Sequence, residues 1–297
     1  MRYRVAHTTT YSYDDDVSSS FGIAHCRPRE LPWQHVASRS VTIDPAPSDI
    51  ADDTDCYGNV VSYFHVTEPH MKLTIDALSE VEVVPTQYDP DALLEPWENA
   101  RPIRNPGIPR AWAATEFALE SPKALHVPAA RTYAAASLTP GRPIGEAVTD
   151  LMHRIKTDFH YDKTATTVTS TVADVIEKRA GVCQDFAHLA LACLRSHGVA
   201  ARYVSGYLAT RPAAGKPRMV GADASHAWVA AWIPGSDQWL AFDPTNDQWA
   251  SDRHVTVAWG RDYGDVPPVK GVIFTEAKKS TLRVAVDVAP LEEYAQG

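Results

Sequence analysis

The stretch AGVCQDFAHLALACLRSHGVAARYV, residues 180–204, places Cys183 at the start of an amphipathic helix. The apolar residues of this helix recur at helical spacing on one face: Ala187, Ala190, Leu191 and Leu194. Gly198 is predicted to end the helix. Unpaired N–H groups in the first helical turn carry partial positive charge, which stabilises a thiolate. Because free cysteines are also among the most buried residues, the helix alone leaves open whether Cys183 is a nucleophile or a core residue.

A thiolate nucleophile needs a base and a group that orients the base. His226 opens the predicted strand SHAWVAAWI, and a four-residue turn, 234–237, separates it from QWLAFDPT. Pairing across this turn places Asp243 opposite Trp228, hence diagonal to His226 on the same face, at ~7–8 Å. Asp243 can then accept from one imidazole nitrogen and leave the other to take the thiol proton. A register slip of one residue would put the two side chains on opposite faces.

Three other reactive side chains of the helix are predicted to be structural: His188, Cys193 and His197. His188 lies about 140° around the helix from Cys183, so it faces elsewhere. The four cysteines form no C-x-x-C pair, so neither a zinc site nor a disulfide framework is indicated. The acidic runs YDDDV and DIADDTD lack the spacing of a calcium-binding EF-hand. We therefore expect no metal and no cofactor.

Composition narrows the class of protein. Of 297 residues, 44% are hydrophobic and 22% are charged, as in soluble globular proteins. Twenty-eight basic against thirty-seven acidic residues give a net charge of -9, which argues against nucleic acid and anionic membranes as partners. No apolar run approaches the ~18 residues of a spanning helix, and the first residues alternate like a strand rather than forming an apolar leader. The expected location is the cytoplasm.

The chain divides into three segments with different patterns. Residues 1–87 are rich in Val, Tyr, Thr and Ile with a period of two, which predicts an antiparallel β-sandwich. Residues 88–143 are proline-rich and are predicted to be a linker with short helices. Residues 144–297 begin with three helices and continue with strands. This order predicts an α+β core in which the Cys183 helix packs on an antiparallel sheet.

In the first helix, IGEAVTDLMHRIKTDF, one apolar face is formed by Ile144, Ala147, Val148, Leu151 and Ile155. In STVADVIEKRAG, Thr171 and Asp174 predict a capping box at the helix start, and Gly181 is predicted to stop the helix.

Three motifs, GVCQDFAHL, SHAWV and AFDPTN, resemble the Cys, His and Asp motifs of the bacterial transglutaminase-like family, which belongs to the papain-like cysteine enzymes. HTTTYSY and DCYGNVV resemble that family's N-terminal β region. GRDYGDVPPVKGV, residues 260–272, resembles its segment after the Asp motif. The resemblance covers most of the chain and implies the family's fold.

The resemblance also implies acyl transfer, with Cys183 as nucleophile, His226 as general base and Asp243 as the group that orients His226. Five further residues are candidates for oxyanion donors or for lining the site: Gln184, Tyr161, Trp228, Asp262 and Tyr263. The expected substrate is a peptide or protein amide, and hydrolysis is preferred. Cross-linking of glutamine to an amine, or a binding module without chemistry, are the alternatives. Neither the natural substrate nor the oligomeric state can be predicted from the sequence.

Overall fold

The computed structural model describes residues 1–210 and 225–291, which fold into two antiparallel sheets, one short parallel pair of strands and a group of helices. The strands are β1 (Arg2–Ala24), β2 (Gln34–Asp44), β3 (Asp49–Thr54), β4 (Val60–Val66), β5 (His70–Val83), β6 (His160–Tyr161), β7 (Ala180–Gly181), β8 (Ala201–Leu208), β9 (Ser225–Trp232), β10 (Trp239–Asp243), β11 (Gln248–Trp249), β12 (His254–Gly260), β13 (Val269–Thr275) and β14 (Ser280–Pro290). The α-helices are α1 (Pro90–Leu93), α2 (Ala111–Ala114), α3 (Pro128–Ala134), α4 (Ile144–Asp158), α5 (Val172–Lys178) and α6 (Cys183–Arg195). No α-helix in these ranges is long and apolar enough to cross a membrane.

The first sheet has the order β2-β5-β1-β4-β3 and curls along β1, which is 23 residues long. The first half of β1 pairs with β5 and β14, and the second half pairs with β4 and β13. The two halves share a core, in which Phe64 of β4 and Ile75 of β5 belong to one cluster. Where the sequence predicts a β-sandwich, the structure has a single curled sheet of seven strands, in which β13 and β14 also pair with β1.

The last two strands return to the first sheet. Both β13 and β14 pair with β1, although they lie within residues 144–297, which the sequence assigns to the core. Period-two patterns identify strands, but they do not say which sheet a strand joins. The segment 88–143 forms α1 to α3 and two 3-10 turns, and its Trp97 and Phe117 are buried in the main core.

The second sheet has the order β11-β10-β9-β8-β12, and α6 packs on β8 and β9. All eight residues of β8 are buried because the strand is covered on both faces. The four residues predicted to face inward on α6 are fully buried, and so are five on α4: Ile144, Ala147, Val148, Leu151 and Ile155. These amphipathic faces are confirmed.

The observed helix ends agree with the ends predicted from the sequence, with one exception. Thr171 and Asp174 form the predicted capping box at the start of α5. Gly181 was predicted to stop that helix, and this is wrong: α5 ends at Lys178, followed by Arg179 with φ 52°. Gly181 instead lies in β7, because the chain must extend there to pair with β6 before α6 begins.

The predicted hairpin register is confirmed. Trp239 pairs with Trp232 and Phe242 pairs with Val229, as the four-residue turn requires. Gly235 in the turn has φ 74°, a left-handed conformation that favours glycine. The register places His226 and Asp243 on one face of the hairpin.

Candidate active site

A hydrogen-bonded cap fixes the start of α6. The Asp185 carboxylate, in the first turn, accepts the Val182 N–H at 2.8 Å and the Thr166 hydroxyl at 2.6 Å. A Cβ on Gly181 would lie 2.9 Å from that carboxylate, so the close approach requires glycine. Cys183 is therefore held as the first residue of α6, where its N–H donates to no residue that the structure describes.

The hairpin brings the predicted base and carboxylate into contact. Nε2 of His226 lies 2.7 Å from Oδ2 of Asp243, and the two side chains are 9% and 0% exposed. Cys183 and His226 line the same cavity, and Cys183 is close enough to contribute to the raised pKa of His226. Because Nε2 faces Asp243, Nδ1 is the nitrogen left for the thiol. The structure thus brings the three residues together, while their catalytic roles stay predictions.

Asp243 is held as a carboxylate by donors on both oxygens. Oδ1 accepts the backbone N–H groups of Thr245 at 2.9 Å and Asn246 at 3.2 Å. Oδ2 accepts the Asn246 side-chain amide at 2.7 Å, in addition to the imidazoles of His226 and His254. Burial alone would raise the pKa of Asp243, but hydrogen bonds and charge from the two histidines hold it well below its usual range. A carboxylate this well satisfied stays ionised beside His226.

The charge on His226 follows from its two partners. Burial opposes the imidazolium, but hydrogen bonds and charge from Asp243 and Cys183 outweigh it and raise the pKa of His226 to about 10. A protonated imidazole places a positive charge between the Asp243 carboxylate and Cys183. The site therefore has the charge distribution that a cysteine nucleophile needs.

A second histidine, His254 of β12, approaches the same carboxylate oxygen, with Nε2 at 3.3 Å from Asp243. His226, Asp243 and His254 place one ligand atom each within 4.8 Å of one another, a spacing that can hold a metal ion. However, the Ser251 N–H donates to Nδ1 of His254 at 3.1 Å, so the proton of this imidazole is on Nε2. A protonated nitrogen cannot coordinate a metal, so the cluster fits a hydrogen-bond network better. Burial, stronger than the influence of Asp243, lowers the pKa of His254 and keeps it neutral.

Cys183 and His226 open into a cavity of about 350 Å³. Tyr161 also lines it, because β6 pairs with β7 at Gly181, just before α6. Burial, with a smaller contribution from Cys183, raises the pKa of Tyr161, so its hydroxyl keeps its proton at neutral pH. Lys156 of α4 also lines the cavity, and its ammonium donates to the Thr245 carbonyl at 3.0 Å.

Two of the predicted lining residues lie close to Cys183 or His226, but neither is among the described residues that line the cavity. Trp228 is 1% exposed, and its ring centroid lies 6.1 Å from His226 and 5.2 Å from His254. It therefore packs behind the histidines instead of lining the site. Gln184 is half-buried in the first turn of α6 and is not among the described residues that line the cavity.

The predicted residues Asp262 and Tyr263 have structural contacts. Asp262 is buried and accepts the backbone N–H groups of Lys123 at 2.8 Å and Gly264 at 2.7 Å. The Tyr263 N–H donates to Nε2 of His188 at 3.2 Å. Both residues fasten the 260–266 segment to its surroundings, and neither is among the described residues of the cavity wall.

Four residues of the site were not selected from the sequence: Lys156, Asp185, Asn246 and His254. Asp185 lies three residues after the N-cap Val182, a position at which acidic capping residues are common. Asn246 is part of the AFDPTN motif, three residues after the carboxylate it contacts. Lys156 and His254 carry no local signal, because only the tertiary fold brings them to the site.

Two family models match the chain in consecutive segments. The bacterial transglutaminase-like N-terminal region matches residues 3–82, and the transglutaminase-like superfamily matches residues 131–244. The chain belongs to the bacterial transglutaminase-like family. The second match includes Cys183, His226 and Asp243, and the structure gives that family's mixed fold of a curled antiparallel sheet and six helices.

Relatives and a solved structure agree with this membership over nearly the whole chain. The uncharacterized protein Rv2569c of Mycobacterium tuberculosis is 50% identical, with 98% of this chain and 93% of that protein covered. The uncharacterized protein ML0607 of Mycobacterium leprae is 33% identical, covering 98% and 99%. A Cytophaga hutchinsonii structure, described as that of a "Putative Cysteine Protease", matches with a TM-score of 0.74 at 21% identity, covering 99% of this chain and 92% of that chain. The last comparison shows a shared fold.

Proposed function

We propose that this protein transfers the acyl group of an amide through a thioester on Cys183, with water as the preferred acceptor. The observation that carries the proposal is the hydrogen bond of His226 to Asp243 at the edge of a cavity of about 350 Å³ whose wall also holds Cys183. Membership of the transglutaminase-like family supports the same chemistry. A nucleophile, its base and an orienting carboxylate are the parts that covalent acyl transfer needs.

The first step forms the thioester. The Cys183 thiolate attacks the amide carbon, and the carbonyl oxygen develops negative charge that the Cys183 N–H at the start of α6 can stabilise. The Tyr161 hydroxyl, which lines the cavity beside Cys183, is the candidate second donor. The His226 imidazolium then gives its proton to the departing amine as the C–N bond breaks.

The second step regenerates the thiol. Neutral His226 takes a proton from water, and the resulting hydroxide adds to the thioester carbon. The C–S bond breaks, a carboxylic acid leaves, and His226 returns to the imidazolium form beside the thiolate. Asp243 holds Nε2 of the imidazole throughout, which keeps Nδ1 aimed at the reacting atoms.

Access of water favours hydrolysis over cross-linking. Tyr161 is 42% exposed and Lys156 is exposed, so the described part of the cavity wall is open to solvent. A cross-linking enzyme must keep water from the thioester while an amine enters. The expected substrate is a peptide or protein amide, and the alternatives are amine transfer and binding without chemistry.

The test is to incubate the protein with a peptide library, a labelled primary amine and ¹⁸O-water, and to analyse the peptides by mass spectrometry. Cleaved or deamidated peptides that carry ¹⁸O support hydrolysis. These products should be absent with Cys183→Ala and should still form with Cys56→Ala. Labelled amine on the peptides overturns the preference for water in favour of transfer. Identical peptide profiles for wild type and Cys183→Ala overturn catalysis and leave the binding module.

A further inference from the structure

A second and smaller cavity, which we call the Arg202 cavity, lies behind the histidines on the face of the five-stranded sheet away from α6. Its volume is about 20 Å³, and its wall includes Arg202, Trp239, Trp259, Ser251 and His254. A space of this size admits one occupant not much larger than a water molecule. The cavity is separate from the cavity that Cys183 lines.

The Arg202 guanidinium is buried without a counter-charge. The residue is 8% exposed, and its side chain makes no hydrogen bond or ion pair within residues 1–210 and 225–291. A guanidinium offers five N–H donors, and buried charges in proteins are normally paired. Burial, with the nearby charge of Arg29, lowers the pKa of Arg202 well below its usual range. The part of the chain that the structure describes therefore supplies no acceptor for this guanidinium.

Aromatic rings offset only part of the buried positive charge of Arg202. The guanidinium carbon of Arg202 lies 4.5 Å from the Trp239 ring centroid and 3.6 Å from that of Trp259. The guanidinium of Arg29 lies 3.5 Å from the same Trp259 centroid, which is possible only on the opposite face of the ring. The ring faces attract both guanidinium groups. However, Arg29 adds a second positive charge near Arg202, which makes a bound anion more favourable.

The cavity wall offers the guanidinium no negative charge. No acidic residue occurs among the described residues that line it. Both imidazole nitrogens of His254 are already engaged, with the Ser251 N–H and with Asp243. An occupant that accepts hydrogen bonds and carries negative charge would satisfy the unpaired Nε of Arg202 and offset its charge.

We propose that the Arg202 cavity binds a small monovalent anion of the size of chloride. Its charge would offset that of the guanidinium, and its spherical shape suits a space of about 20 Å³ that a phosphate or a carboxylate ligand would overfill. The proposal does not depend on the reaction at Cys183, so either can fail alone.

Thermal unfolding in matched salts tests the proposal in solution. Full-length wild type is prepared without chloride, and its Tm is measured as chloride replaces gluconate at constant ionic strength. We expect a saturable rise of about 2–4 °C at roughly tenfold excess over the Kd, with bromide acting likewise. Arg202→Met should show the same Tm in both salts, while the exposed-residue control Arg104→Met should behave like wild type. Equal wild-type Tm values in chloride and gluconate overturn the proposal, as does a chloride response that survives in Arg202→Met.

A crystal of the wild type grown in bromide gives a readout that needs no variant, in case Arg202→Met does not fold. We expect an anomalous peak within hydrogen-bond distance of the Arg202 guanidinium. Water alone at that position overturns the proposal. A bromide peak without any halide-specific change in Tm means an adventitious ion only, and also overturns it.

Discussion

Replacing the carboxylate of Asp243 by an amide, Asp243→Asn, changes the charge on His226 with little change of shape. In the wild type, the pKa of His226 is raised from 6.5 to about 10, which corresponds to about 5 kcal/mol of preference for the imidazolium. Burial works against this preference, so Asp243 and Cys183 together supply more than this net amount. If each partner supplies half of their joint contribution, the variant brings the pKa of His226 below about 8.

The direction of the pH effect follows from the raised pKa. The stability that His226 gains from its partners is fully present below pH 6.5 and is lost as pH rises towards 10. With Asp243→Asn the stability from His226 is lost by about pH 8. At pH 9 the protonated fraction of His226 is therefore expected to fall from about 90% to about 10% or less.

The assay is ¹⁵N NMR of histidine-labelled protein titrated from pH 6 to 11, with the His226 signal assigned by its absence in His226→Gln. The matched control is Asp247→Asn, which removes the nearby carboxylate that contacts the exposed His153. His226 should titrate near pH 10 in wild type and in this control. A midpoint that stays near 10 in Asp243→Asn, or that moves equally in Asp247→Asn, would refute the assignment of Asp243 as the partner of His226.

Three further changes test other parts of the site. Tyr161→Phe is expected to lower kcat about 100-fold with little change in KM if its hydroxyl stabilises the oxyanion; an unchanged kcat in a peptide-cleavage assay removes it from that role. His254→Ala should lower the free energy of unfolding in urea by about 2–4 kcal/mol, because it leaves a cavity and an unpaired Ser251 N–H; a change below ~0.5 kcal/mol contradicts this. Gly181→Ala should cost about 1–3 kcal/mol in the same assay by pushing the Asp185 carboxylate off the helix start, and wild-type stability would show that the cap does not need glycine.

The local parts of the site were predictable because they follow from short-range geometry. The four-residue turn and the period of two fix which residues of the hairpin share a face, so the contact of His226 with Asp243 is expected from the sequence. The placement of Cys183 at the first residue of α6 follows in the same way from helical periodicity.

The features of the fold and the site that the sequence does not predict depend on contacts between segments that are distant along the chain. β12 is separated from β10 by two strands in the sheet, so no pairing rule brings His254 to Asp243. β14 is readable as a strand, but its pairing with β1 joins the two ends of the chain. The role predicted for Trp228 illustrates the same limit: sharing a face with His226 does not decide whether a side chain lines the cavity or packs behind it.

The most direct test of the central claim, that Cys183 is an activated nucleophile, compares two cysteines of the same molecule. Cys56 is exposed, whereas Cys183 is only partly so. Burial, followed by the charge of Asp55, raises the pKa of Cys56. The rates of iodoacetamide labelling at pH 7 are measured for both by mass spectrometry. We predict that Cys183 reacts at least about 10 times faster despite its lower exposure, and labelling of Cys56 at an equal or higher rate would contradict the account.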